Sequence, residues 1–235
     1  MNQSELAAAF RQISTATLTM QLLKRGIRQV WMEGPKPLTD GQERIAGPAY
    51  TLRFIPGRED LSGPEILKRT DLAQRRAIEE CPPGHILVVD ALGRIDGAAI
   101  GDILATRLHV RGVAGMVSDS NVRDADGVRA SNLPVWCPGA AAPASVASLS
   151  DGDLQVPIGC GGVAVIPGDW VVCDNDGVVV VPQALAEEVA ICGLEQELHE
   201  QFILEQVKHG AAIPGTYPPN QENLAKYQEW KAKRG

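Results

Sequence analysis

The chain predicts an α/β domain with a mixed sheet, on three observations. Residues 86–117 read as a strand, a helix and a strand in close succession, a unit whose strands pair in parallel. From residue 156 to residue 182 the texture changes to short β-rich runs parted by Gly, Pro and Asp, as in an antiparallel meander. Residues 183–210 then read as one long helix. A chain of 235 residues suits one larger domain, spanning 1–235, with N-terminal helices and a C-terminal helical extension.

The composition, 44% hydrophobic and 22% charged, is that of a globular protein. Aromatics make up only 4%, so Val, Ile, Leu and Ala must fill the core. A net charge of −7 argues against a broad basic surface for nucleic acid. Cys81, Cys137, Cys160, Cys173 and Cys192 are odd in number and contain no CxxC pair, which disfavours a disulfide framework or a zinc site. Reduced thiols in a cytoplasmic protein are expected. The opening MNQSELAAAFRQ lacks a basic stretch followed by an apolar one, and no run of about 18 apolar residues occurs, so neither a signal peptide nor a membrane span is expected.

Taken in order, residues 4–26 hold two helical patterns. Ser4 is placed to cap the first, Ser14 or Thr15 the second, and Gly26 ends it. Residues 31–48, rich in Gly and Pro, read as loop, and AYTLRFI (49–55) as a strand. Residues 63–80 read as one amphipathic helix, with Ile66, Leu67, Leu72, Ala73 and Ile78 roughly on one face. HILVVDA (85–91) suits a buried strand. Ile100, Ile103, Leu104 and Leu108 keep helical spacing, Gly112 stops that helix, and Val113 to Val117 form the next strand. A short helix (125–132) and a strand (133–139) follow. DNDG (174–177) starts like a calcium loop, but VVVV follows it, so a hairpin turn is the better reading. IGCGG (158–162) precedes a strand, so it is a glycine turn and lends no support to a methyltransferase nucleotide loop. The tail, 211–235, is Pro-rich and then basic, and is expected to pack outside the core.

The stretch GDILATRLHVRGVAGMVSDSNVRD carries the functional signal. Twenty residues separate Gly101-Asp102 from Arg123-Asp124. By local rules the first Asp is a helix cap and the Arg-Asp pair a solvated ion pair. The strand–helix–strand path changes that reading. The helix starts at the sheet edge where the first strand ends, and the second strand returns to the same edge, so both dipeptides arrive where open α/β sheets bind ligands. The backbone N–H groups of Asp102, Ile103 and Leu104 suit a carboxylate, with Gly101 allowing close approach. Arg123 offers a planar cation for a carbonyl or enolate oxygen. Asp124 is a hard oxygen donor for Mg²⁺ or Mn²⁺, and Asp102 is placed to orient a water on the metal. Together these groups suit a 2-keto acid. Arg53 is a candidate for a substrate's distal carboxylate, and no pair among His85, His109, His199 and His209 has metal-ligand spacing.

The GD and RD pairs, with STATLTMQLL, IAGPAYTLRF (45–54) and VAVIPGDWVVCDNDGVVVVP (163–182), resemble the RraA-like proteins over roughly residues 10–210. These include class II 4-hydroxy-4-methyl-2-oxoglutarate aldolases and regulators of ribonuclease E activity. The resemblance implies a swivelling, phosphohistidine-domain-like α/β fold and a homotrimer, or a hexamer of trimers, with active sites between subunits. It implies metal binding by Asp124, enolate stabilisation by Arg123, a pyruvate carboxylate on the 102–104 amides and proton handling by Asp102. A Glu from a neighbouring subunit is also implied, matched best by Glu200 and next by Glu197. The expected activity is metal-dependent C–C cleavage of a 2-keto acid, with oxaloacetate decarboxylation sharing the enolate. The alternative is a non-enzymatic inhibitor of ribonuclease E.

Overall fold

The computed structural model describes residues 1–60, 62 and 64–234, leaving aside the side chains of Pro64 and Leu67. Helices α1 (Gln3–Phe10) and α2 (Thr15–Lys24) precede a two-residue strand β1 (Lys36–Pro37) and the long strand β2 (Ile45–Pro56). A 3-10 turn (Pro64–Lys68) and α3 (Ala73–Glu80) lead to β3 (Ile86–Asp90), α4 (Asp102–Val110) and β4 (Gly115–Ser118). Next come α5 (Ala125–Ala130), β5 (Val135–Cys137), β6 (Leu149–Leu154), β7 (Ile158–Cys160) and β8 (Val163–Val165). The hairpin β9 (Trp170–Asp174) and β10 (Gly177–Val181) follows, then α6 (Ala186–Lys208) and α7 (Gln221–Ala232).

The main sheet runs β1-β5-β4-β3-β2-β9-β10, with β6 as a further partner of β2. Strands β2, β3, β4 and β5 are mutually parallel and the other pairings antiparallel. The parallel pairing expected for residues 86–118 is present, with Ile86 opposite Gly115, and extends one strand further on each side. Ahead of β1 the chain runs along β10: the Met32 N–H donates to Val178 O over 2.9 Å, and the Val180 N–H to Val30 O over 2.8 Å. Because β1 itself pairs with β5, residues 30–37 join the two ends of the sheet and nearly close it.

Side chains alternate across this surface as the pleat requires. Leu52, Leu87, Val89, Met116 and Val135 face outward onto Ala77, Ile78, Ala105 and Leu108 of α3 and α4. Ala49, Ile86, Val88, Val117 and Trp136 face inward, filling the interior with Ile158, Val163, Val171 and Val178. Buried Trp136 keeps its indole N–H satisfied by the Asp174 carbonyl at 2.8 Å. The other face of β9 and β10 packs Trp170, Val172, Val179 and Val181 against α1, α2 and α6. With so few aromatics, this is a core of Val, Leu, Ile and Ala, as expected.

Several local expectations change. Asn2, not Ser4, caps α1, through a reciprocal capping box with Glu5. Ser14 does cap α2. The strand at 49–55 is longer at both ends, because its first half pairs with β9 and its last with β6. The predicted helix 63–80 is two pieces. Asp151 of β6 accepts from the Ala73 and Gln74 N–H groups, so α3 starts afresh at Ala73. Its predicted start, Gly63, and the Leu67 side chain lie outside the described residues. Strand β6, LSDGDL, shows no alternation in sequence; it adds to β2 across a bulge between Arg53 and Phe54, and Gly152 opposes Arg53 O too closely for a side chain. In IGCGG, expected as a turn, Ile158–Cys160 form strand β7 and only Gly161-Gly162 turn into β8, whereas DNDG is, as expected, the turn between β9 and β10. Among the described residues no helix is long and apolar enough to cross a membrane.

Candidate functional site

The two dipeptides meet at one sheet edge. Beyond β3 and β4 the chain continues as two bridged segments: the Ala99 N–H donates to Asn121 O over 2.8 Å, and the Arg123 N–H to Ile100 O over 3.0 Å. The Asn121 side chain adds a bond to Ile95 O at 2.7 Å, and Ser120 Oγ one to Gly97 O at 3.1 Å. The approach leaves no room for a side chain at Gly101. A Cβ there would stand 2.9 Å from Arg123 Cγ and 3.0 Å from Asp124 Oδ2. Gly101 has an extended φ of −120°, so it serves by size and not by backbone freedom.

Gly101 is also the N-cap of α4 and makes no side-chain cap bond. The Asp102 carboxylate turns onto the next amide, accepting the Ile103 N–H at 2.8 Å. Across the helix pair, a Cβ on Gly127 of α5 would fall 2.7 Å from Asp102 Cβ and Oδ2, so α5 also abuts Asp102. Asp124 sits at φ 52°, ψ 46°, a left-handed conformation that Asp tolerates better than most residues. It stands at the N-cap of α5 yet makes no side-chain cap bond. Its Oδ2 instead meets Arg123 Nε at 3.0 Å, with both side chains nearly half exposed, a pair worth under about 1 kcal/mol in itself.

Gly101, Asp102, Ile103, Leu104, Arg123 and Asp124 line a cavity of about 420 Å³. Five of these six were expected around one ligand as carboxylate cradle, cation and metal donor; Gly101 was expected to permit their approach. The metal question can be put to the donor set. Among the described residues no three His, Cys, Asp or Glu side chains cluster as a protein-built metal cage. Asp124 nevertheless fits Mg²⁺ or Mn²⁺: it is a hard donor spared from capping, in space that the missing Gly101 Cβ keeps clear. The other ligands would be substrate oxygens and waters.

The remaining candidates lie elsewhere in this chain. Glu200 accepts from Gln196 Nε2 at 2.8 Å and, with Leu204, Val207, Ile213 and Tyr217, lines a separate cavity of about 550 Å³. Glu197, in the same wall, accepts the Ser14 N–H at 2.8 Å and so helps to anchor the start of α2. His199 stacks on Tyr227, with ring centroids 4.4 Å apart. Arg53 does not reach the 420 Å³ cavity and pairs with Asp153 at 2.5 Å.

Residues from two other elements complete the cavity wall and escaped sequence reasoning: Gln74 and Arg75 of α3, and Ser145. Gln74 donates to Ala99 O at 2.5 Å, fastening α3 to the loop that presents Gly101. Nothing local in QRRAIEE marks this; it follows from where Asp151 starts the helix. A buried acid pair was also missed. Asp119 accepts the Ala91 and Gly93 N–H groups at 2.7 and 2.9 Å, and Asp90 those of Leu92 and Gly159 at 3.0 and 3.2 Å. Burial pushes the Asp119 carboxyl above its ordinary range although these bonds oppose it. The pair fastens the turn that leaves β3. Cys81 and Cys137, pushed by burial to about 12 and about 11, are inert packing thiols.

The model of the RraA-like family, Aldolase/RraA, matches residues 12–180. A relative from Halalkalibacterium halodurans, named "Putative 4-hydroxy-4-methyl-2-oxoglutarate aldolase", is 36% identical over 66% of this chain and 67% of its own length. Among solved structures, Streptomyces coelicolor RraAS2, described as an unusual member of the RNase ES inhibitor RraA protein family, is 37% identical with a TM-score of 0.76, over 86% of this chain and 96% of that one. A protein from Pseudomonas syringae is 28% identical with a TM-score of 0.80, over 92% and 94%.

Proposed function

The chain belongs to the RraA-like family, and from that membership and the site's geometry we propose that it is a divalent-metal-dependent lyase. It would cleave a C–C bond of a 2-keto acid through a pyruvate enolate, with 4-hydroxy-4-methyl-2-oxoglutarate as the model substrate. The observation that carries the reading is the close approach of Gly101 to Arg123 and Asp124, which brings the start of a helix beside a guanidinium and a carboxylate. The name of the Halalkalibacterium halodurans relative supports it.

In this mechanism the Asp102 and Leu104 amides, and that of Ile103 once Asp102 turns away, hold the substrate carboxylate. Arg123 donates to the 2-keto oxygen. The C3–C4 bond breaks, its electron pair forms the C2–C3 double bond of the enolate, and the C4 hydroxyl loses its proton as it becomes a carbonyl. Arg123 stabilises the negative charge that develops on the keto oxygen. Bound at Asp124, Mg²⁺ or Mn²⁺ would supply further electrophilic pull on that oxygen. Asp102 passes protons through water, and C3 of the enolate is finally protonated to pyruvate. With oxaloacetate the same bond breaks and CO₂ leaves, so one site serves both reactions. Glu200 of the partner subunit would supply the remaining acid–base group in a homotrimer or hexamer. Within one chain the Glu200 cavity and the Arg123 cavity share no lining residue.

Release of pyruvate from a panel of 4-hydroxy-2-keto acids and oxaloacetate, with Mg²⁺ and a coupled dehydrogenase, tests the proposal. A Mg²⁺-dependent rate lost in Arg123→Ala is expected; no release above background from any panel member would end it. The likeness to RraAS2 favours a second reading, inhibition of an RNase E-type nuclease. Slowed RNA cleavage on adding the protein, unchanged in Arg123→Ala, would support that reading.

A further inference from the structure

We infer that Arg75 is the specificity-determining residue of the site, binding a second carboxylate on the part of the substrate that leaves. The inference rests on the proposed lyase reading and assigns a residue to the distal carboxylate that its model substrate carries.

Arg75 lines the 420 Å³ cavity, and it also lines a neighbouring groove of about 550 Å³; Ile103 and Leu104 border both. It therefore stands where the two spaces join, beside the helix start proposed to hold the keto-acid end. The groove carries several cations, and nearly all are already matched. Lys68 pairs with Glu65 at 2.7 Å, Arg69 with Asp71 at 2.6 Å, Arg76 with Glu80 at 2.9 Å and Arg107 with Glu79 at 2.7 Å. The pairing draws Asp71, Glu79 and Glu80 below the usual carboxylate range. Arg75 alone among the groove's cations has neither a carboxylate partner nor a side-chain hydrogen bond among the described residues.

The turn that carries it is nonetheless anchored. Asp151 caps the first turn of α3 through the Ala73 and Gln74 amides, and Gln74 ties the same turn to Ala99 O. Arg75 is half-buried on this anchored turn, so its backbone is already placed for a ligand and only the side chain has still to order. A guanidinium with free donors matches a carboxylate in a planar, two-point contact that Lys does not reproduce. Arg53, which the sequence offered as a candidate for this task beside the plainer reading of a strand-surface charge, pairs with Asp153 and lies outside the cavity.

The test compares pyruvate with 2-oxoglutarate, an uncleavable keto acid with a distal carboxylate, by calorimetric titration in saturating Mg²⁺. Wild type should bind 2-oxoglutarate about tenfold tighter than pyruvate, a modest return for one charged contact. Arg75→Met should erase that preference while keeping pyruvate affinity within about twofold, and Arg75→Lys should restore part of it. In turnover, Arg75→Met should raise KM for a dicarboxylic substrate with little change in kcat. A wild type without the preference, or an Arg75→Met variant that keeps it, overturns the inference. Because binding needs no cleavage, a preference that depends on Arg75 in a protein that cleaves nothing upholds the inference and removes the lyase reading; cleavage indifferent to Arg75 does the reverse.

Discussion

The sheet-edge site and the C-terminal cap of α6 and α7 are built on opposite principles. At the sheet edge, position is set by backbone: two parallel strands, two bridged extensions and glycines whose missing Cβ atoms let Arg123, Asp124 and Asp102 close in. Its charged side chains are exposed and contribute little to stability. In the cap, position is set by side chains. Phe202, Tyr227 and Trp230 cluster between the two helices, Arg234 stacks on Trp230 at 4.0 Å, and Tyr227 donates to Glu195 at 2.8 Å. Burial and that bond push the Tyr227 hydroxyl well above its ordinary range. Substitutions should therefore separate: at the edge they should cost activity and spare the fold, and in the cap they should cost the fold first.

The largest effect is expected at Arg123. Arg123→Ala should lower kcat/KM by about 10²–10³-fold, the usual cost of a lost oxyanion donor, with a melting temperature near that of wild type. Gly101→Ala is the sharper probe, since it removes no charge. Its Cβ must displace Arg123 or Asp124, and a displacement of that kind costs about 10²-fold in kcat/KM. Circular dichroism should remain unchanged. Activity within threefold of wild type would show that the close approach is not what positions the pair.

In the cap, Phe202→Ala should cost about 3 kcal/mol of unfolding free energy by urea titration, as for a large buried ring. The two glutamates then sharpen the comparison within one helix. Glu197→Gln should cost about 1 kcal/mol, through the weakened bond to the Ser14 amide, and leave kcat largely intact. Glu200→Gln should do the opposite, sparing stability and lowering kcat about 10²-fold if the partner subunit's Glu200 moves protons at the site. The smallest effect is a titration. Arg94 holds the Asp96 carboxyl down at about 2, from an ordinary value of 3.8. A depressed carboxylate stabilises the fold above its unfolded value and stops doing so as pH falls through the folded one. Between pH 4 and pH 2 wild type should lose slightly more stability than Asp96→Asn, read as the shift in urea midpoint.

The same contrast decides what could be read from sequence. The site was legible because its geometry follows from a period: helical spacing at Ile100, Ile103, Leu104 and Leu108 and a strand at 113–117 imply the parallel return that joins Gly101 to Arg123. Strand β6 was not legible, because LSDGDL is stabilised by pairing with β2 and by a bulge, neither of which leaves an alternating pattern. Helix α7 lies in the tail expected only to pack outside the core, and its helix was not read, since it packs through Tyr227 and Trp230 against Phe202 rather than through a continuous stripe. Arg75 escaped for a third reason. Its importance depends on which neighbouring acids are already paired, and pairing is a property of the folded surface.

The central claim is that Arg123 and its neighbours stabilise a pyruvate enolate, and this can be measured without knowing the full substrate. Pyruvate incubated with the protein and Mg²⁺ in deuterium oxide should exchange its methyl protons, followed by proton magnetic resonance. Exchange should run well above the rate with Mg²⁺ alone and fall to that rate in Arg123→Ala and Asp124→Ala. Exchange by wild type no faster than with Mg²⁺ alone, or equally fast in both variants, would contradict the account.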